Sequence, residues 1–175
     1  FAGAWRLMAS PSPHRSQATT DGVEYVFSGL PIAFFNIALI AERGVSADRL
    51  ASHGRHACEW AADKGVPWLF VVTSEALEPG LDAVALLDGC GLAPMMTLTG
   101  MLAERVSPAA RIPGGLQLVV PKDDHGCSAV VEINAAAYGM DLEAGKAVVG
   151  TQSFWKDHVP VLGLADDKPA SCAAV

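Results

Sequence analysis

His53 and His56 stand three positions apart in a segment that reads as helix, close enough for both imidazoles to reach one metal ion. No third ligand is evident nearby, so the pair is expected on a solvated helix face and no metal is expected. Asp123-Asp124-His125 sets two carboxylates beside an imidazole, the residue types of general acid–base work. Its position ahead of a helical run makes a polar turn that caps the helix the expected role, with Asp124 as the cap. Asp166 and Asp167 are adjacent carboxylates between two strand-like runs, where a hairpin turn leaves them solvated. Gly114-Gly115 precedes a strand and not a helix, so it is a poor cradle for phosphate. Ser10 and Ser74 lack the Gly-x-Ser-x-Gly setting of a hydrolase nucleophile. Cys58, Cys90, Cys127 and Cys172 form no CxxC and sit among small or apolar residues, as expected of reduced, mostly buried thiols.

The elements that would position these groups follow from patterning and punctuation. Residues 1–9 suit a short helix with Trp5 and Met8 on its apolar face, ended by Ser10-Pro11-Ser12-Pro13. Val23 to Phe27 reads as a strand, and Ile32 to Ile40 as a longer, nearly continuous apolar strand covered on both faces. A helix capped by Ser46, with Asp48 in its first turn, stops at Gly65 and Pro67. Trp68 to Thr73 is a buried strand, Pro79 to Asp88 a helix with proline in its first turn, and Met95 to Leu102 a strand. Alternation of strand and helix from Ile32 to Leu102 implies layers with some parallel pairing. Residues 103–115 connect to a strand from Leu116 to Val120, helices over Gly126–Tyr138 and Leu142–Thr151, and a hairpin of His158–Ala165 with Pro169–Val175.

The totals bound what this arrangement can serve. The chain has 175 residues, 51% of them hydrophobic and 18% charged, enough for a sizeable core. A formal net charge of −7 without a cluster of Lys or Arg argues against a nucleic-acid partner and gives no basic anchor for a membrane surface. The most apolar run, Leu30 to Ala41, has twelve residues, whereas a bilayer span needs about 20. Phe1-Ala2-Gly3-Ala4-Trp5-Arg6 is not the start of a signal peptide, and without an initiator Met some residues precede it or were removed. A soluble, cytoplasmic protein is expected.

Three stretches then carry a family resemblance: Gly115-Leu116-Gln117-Leu118-Val119-Val120, Ala135-Ala136-Ala137-Tyr138-Gly139, and Val161 through Val175 with its Asp166-Asp167-Lys168-Pro169 turn. In that order and spacing they resemble the opening half of a GNAT-superfamily acetyltransferase domain. Residues 21–103, with Pro67-Trp68 and Asp88-Gly89-Cys90-Gly91-Leu92, resemble the closing half of a degenerate GNAT-like region. The resemblance divides the chain into an N-terminal helix and linker (1–20), the degenerate half (21–103), a connector (104–115) and an opening half (116–175). It implies an α/β (α+β) fold with a mixed, mostly antiparallel central sheet and helices on both faces.

The resemblance also implies acetyl transfer from acetyl-CoA to a small-molecule or peptide amine in the intact protein. A non-catalytic GNAT-like binding or dimerisation module is the alternative, and a third reading closes the two halves into one permuted, inactive sheet. The family holds its coenzyme at a glycine-rich strand-to-helix turn whose N–H groups face the pyrophosphate. That turn is expected beyond Val175. Its counterpart here, Ala41-Glu42-Arg43-Gly44-Val45-Ser46-Ala47, has one glycine and an acid, and reads as an ordinary capped turn. No cofactor-binding residue is therefore assigned within the chain, and pairing with another copy or with a missing C-terminal portion is expected. Tyr138, Phe154 and Trp155 surround the two helices that border the acceptor site in the family. They are the candidate substrate-binding residues, with core packing as the plainer role.

Overall fold

The computed structural model describes Arg6, Ser12 and residues 15–99 and 114–174. The helix expected over residues 1–9, Ser10, and most of the 103–115 connector lie outside the described residues. The chain divides into two compact units, Phe1–Met95 and Met96–Val175.

Unit 1 contains a four-stranded sheet in the order β1 (Ser16–Thr20), β2 (Val23–Phe27), β3 (Asn36–Ile40) and β4 (Leu69–Val71). β1–β2 and β2–β3 pair antiparallel, and β3–β4 pairs parallel through the crossover helix α1 (Ala47–Ala61). Asp21-Gly22, both at positive φ, make the two-residue turn between β1 and β2. Ser46 caps α1 by accepting from the Arg49 N–H, as expected. Side chains alternate across the sheet. Val23, Tyr25 and Ala38 meet Ala57 and Trp60 of α1, while Val26, Ile37 and Leu39 join Leu69 and Val71 on the opposite face. β3 is buried at every position, which is why its sequence is continuously apolar after Asn36. Ile40, Val45 and Leu50 extend the core toward Leu86 and Leu87 of α2 (Ala83–Asp88).

Several boundaries differ from the expectation. Residues 33–35 form a 3-10 turn rather than strand, because Asn36 is buried and draws the loop around itself. Its Oδ1 accepts from the N–H groups of Ser28 and Gly29, and its Nδ2 donates to the carbonyls of Leu30, Ile32 and Pro67. α2 begins at Ala83, not near Pro79: Gly80 at φ 84° turns the chain first, and Asp82 caps the helix at Ala85 N–H. Residues 95–99 are not strand.

Unit 2 holds a three-stranded antiparallel sheet in the order β5 (Leu116–Val119), β6 (Pro160–Ala165), β7 (Lys168–Ala174). The strands of the chain are thus mixed and mostly antiparallel, divided between two sheets. α3 (Asp124–Tyr138) packs on β6 and β7 and against α4 (Leu142–Val149). Cys127, Val130, Val131 and Ala135 of α3 are buried, together with Phe154 and Leu162. A Cβ on Gly145 would come within 2.7 Å of Val131 Cγ1, so glycine sets how closely α4 approaches α3. The cap of α3 is Asp123, which accepts from Gly126 N–H at 2.8 Å. Asp124 lies inside the helix and accepts instead from the Gln152 N–H.

Candidate functional site

Among the described residues, polar or reactive side chains gather at one place in each unit. The first is the turn from β3 to α1. Glu42 lies just beyond β3, and Arg49 and His53 are four residues apart on α1, so they share a helix face. Arg49 grips the Glu42 carboxylate through Nε on Oε1 and Nη2 on Oε2. The same Nη2 reaches Asp21 Oδ1 at 3.1 Å, and His53 Nε2 lies 2.8 Å from Glu42 Oε1. The paired guanidinium first, then the imidazole, holds the Glu42 carboxyl down at about 2. It is therefore ionised and can only accept, so His53 Nε2 is the donor.

His53 is 1% exposed, which corrects the expected solvated helix face. Its Nδ1 is buried with no hydrogen-bond partner among the described residues. His56 is exposed, so the two rings do not converge. Among the described residues no three His, Cys, Asp or Glu side chains gather as metal ligands.

Whether this turn could hold the pyrophosphate of a coenzyme is decided by what fills it. The Val45 N–H is given to Ala76 O and the Ala41 N–H to Gly22 O. A carboxylate already takes the Arg49 guanidinium, and Asp48 adds a second negative charge in the first turn. The residues present do not fit a phosphate group.

The second place is a cavity of about 300 Å³ in unit 2, lined chiefly by Val120, Pro121, Cys127, Gln152, Trp155 and His158. Trp155 Nε1 donates to Val149 O at 2.7 Å, which fixes the indole against the end of α4. Phe154 is buried and meets the Trp155 ring edge-on at 5.0 Å, with His158 stacked at 6.3 Å. Burial first, then Asp124 and Asp123, pushes the Cys127 thiol up, away from the thiolate that a nucleophile needs.

Of the expected substrate-binding trio, the structure brings Phe154 and Trp155 together. Tyr138 is exposed at the last position of α3, about 16 Å along the helix from Cys127 at 1.5 Å per residue. The remaining expected candidates are plain. Asp166 and Asp167 are exposed in the β6–β7 turn. Ser74 begins a short 3-10 turn. Cys58, Cys90 and Cys172 are half-buried free thiols, and Cys127 is a buried one.

The Glu42 network escaped sequence reasoning, which weighed His53 against His56 three positions away. The available signal was the four-residue spacing of Arg49 and His53, with an acid just ahead of the helix cap.

No family model matches the sequence, and no curated protein matches it. Among solved structures, a GCN5-related N-acetyltransferase from Kribbella flavida is similar, with a TM-score of 0.60 at 20% identity. The likeness covers 99% of this chain and 64% of that one. The fold is therefore GNAT-like. No helix among the described residues is long and apolar enough to cross a membrane.

Proposed function

We propose that the intact protein transfers an acetyl group from acetyl-CoA to a small-molecule or peptide amine, and that unit 1 is not where the coenzyme is held. The observation that supports the reaction class is the likeness of fold to a GCN5-related N-acetyltransferase across 99% of the chain. The chain spans 64% of that structure's length, and its own turn after β3 is filled by Glu42, so no coenzyme contact is assigned to that turn. Trp155, which lines the cavity of unit 2, and Phe154, buried behind it, remain the candidates for the acceptor side.

A non-catalytic GNAT-like binding or dimerisation module is the second reading. It is favoured by one observation: the strand-to-helix turn that the chain does contain is filled by its own Glu42.

One pair of measurements separates the readings. Free thiol released from acetyl-CoA is followed for the intact protein with a panel of small amines and lysine peptides. The enzyme reading expects amine-dependent release, and silence across the panel leaves the module. In parallel, millimolar acetyl-CoA is expected to leave the melting temperature of residues 1–175 unchanged, because a ligand that binds only the folded state must raise it. A clear rise would show coenzyme held within residues 1–175 and would reopen the turn after β3.

A further inference from the structure

We infer that Glu42 is a built-in anion: its carboxylate fills a receptor made by Arg49 and His53 in unit 1, and that receptor takes a small oxyanion, phosphate or carboxylate, once the Glu42 side chain is removed. Three features define a receptor rather than a surface ion pair. Arg49 presents Nε and Nη2 to the two oxygens as a fork, the arrangement that suits carboxylate and phosphate alike. His53 supplies a third donor from a ring that is 1% exposed, so in the folded protein the Glu42 carboxylate is what that donor faces. The carboxylate also lies tight against the β1–β2 turn, where a Cβ on Gly22 would run into it.

Asp21 keeps the receptor in shape. Its Oδ1 and carbonyl hold Arg49 Nη2 from the other side at 3.1 and 3.3 Å, so the guanidinium stays oriented when Glu42 is gone. Asp21 also offsets much of the Arg49 charge, so an added oxyanion binds only at about millimolar concentration, near −4 kcal/mol. In the natural sequence Glu42 keeps outside anions off Arg49 and His53. This holds whether or not the intact protein transfers acetyl groups.

The test uses the 175-residue protein with Glu42→Ala and Glu42→Gln. Sodium phosphate and sodium acetate are titrated against sodium chloride of equal ionic strength, with melting temperature and the Arg49 Nε–H NMR resonance as readouts. Glu42→Ala is expected to melt below the wild type and to regain about 5 °C or more at ten times Kd, with a saturable shift at Arg49 Nε–H. Wild type, and Glu42→Gln whose amide fills the same space, are expected to show neither change. A folded Glu42→Ala that shows no saturable shift overturns the inference, as does a wild-type Arg49 resonance that titrates with phosphate. If Glu42→Ala does not fold in chloride, folding in phosphate or acetate supports the inference and folding in none of them overturns it.

Discussion

Replacing Asn36 by Asp puts the organisation of unit 1 to a direct test. Asn36 is fully buried at the start of β3, the strand that delivers Glu42. The substitution exchanges Nδ2 for an oxygen that faces the carbonyls of Leu30, Ile32 and Pro67, at 2.8, 3.1 and 2.9 Å. An amide has two hydrogens, so two full bonds are lost at any moment. The part-buried carbonyls of Leu30 and Pro67 lose their donor, while Ile32 O keeps the Phe35 N–H; each loss costs up to about 1–3 kcal/mol, and the new carboxyl must also be buried charged or be protonated. A loss of about 3–5 kcal/mol is expected, a large share of the roughly 5–15 kcal/mol that holds a typical domain together.

Two units unfolding together would blur a global melting curve, so the better assay is amide hydrogen exchange at Ile37 and Leu39, inside the β2–β3 pairing. A destabilisation of about 3 kcal/mol speeds exchange by about a hundredfold where exchange follows global opening of the unit. Rates within about threefold of wild type at both amides would refute the assigned role of the Asn36 side chain.

Leu50→Ala, at a fully buried position of α1, is expected to cost about 2–5 kcal/mol by opening a cavity, read in urea unfolding of unit 1. Gly145→Leu forces α4 away from Val131 and is expected to cost about 1–3 kcal/mol through overpacking. Gly145→Ala should be the milder change, and equal melting temperatures for all three proteins would contradict the close approach. Glu42 titrates at about 2 when folded and near its ordinary 4.5 when unfolded, so its contribution is present above pH 4.5 and fades as pH falls toward 2. The stability gap between wild type and Glu42→Gln should shrink over that window in acid titrations, and a gap constant from pH 6 to pH 3 would rule out this linkage. Trp155→Phe removes the bond to Val149 O at about 0.5–1.5 kcal/mol, and should lower thermal stability without unfolding unit 2.

Much of the architecture could be read from local signals with a single strong cause. Ser46 before an amphipathic run, Gly139 at a left-handed helix end, and Asp166-Asp167 between two apolar runs each stood where the structure has a cap, a stop and a turn. β1 was missed because its five residues are exposed and, Ala18 apart, polar, so no alternation marks it, although Asp21-Gly22 is a hairpin dipeptide. Met95-Met96-Thr97-Leu98-Thr99 has the composition of a strand yet forms none, since strand propensity acts only where a neighbouring edge accepts the ladder. Asp123 displaced Asp124 as a cap because two adjacent acids offer the same chemistry, and backbone angles alone select between them. His53 was the deepest misreading: histidine usually favours surfaces, and what draws it inward is a carboxylate eleven positions earlier, a contact no helical period encodes.

The β6–β7 hairpin has a bearing on the order of events during folding. Its two central residues, Asp166 and Asp167, hold φ of 49° and 62°, which matches the right-handed twist of the strands they join. Its pairing needs only near neighbours in the chain, and such hairpins close in about 1–10 μs. β5, in contrast, must find β6 across both α3 and α4, and the entropy of closing that long loop delays the pairing. Unit 2 should therefore assemble outward from its C-terminal hairpin, with α3 docking on a template already formed and β5 arriving last. Substitutions at Asp166 or Asp167 would slow folding more than they speed unfolding, whereas changes at Leu116 or Val119 would do the reverse.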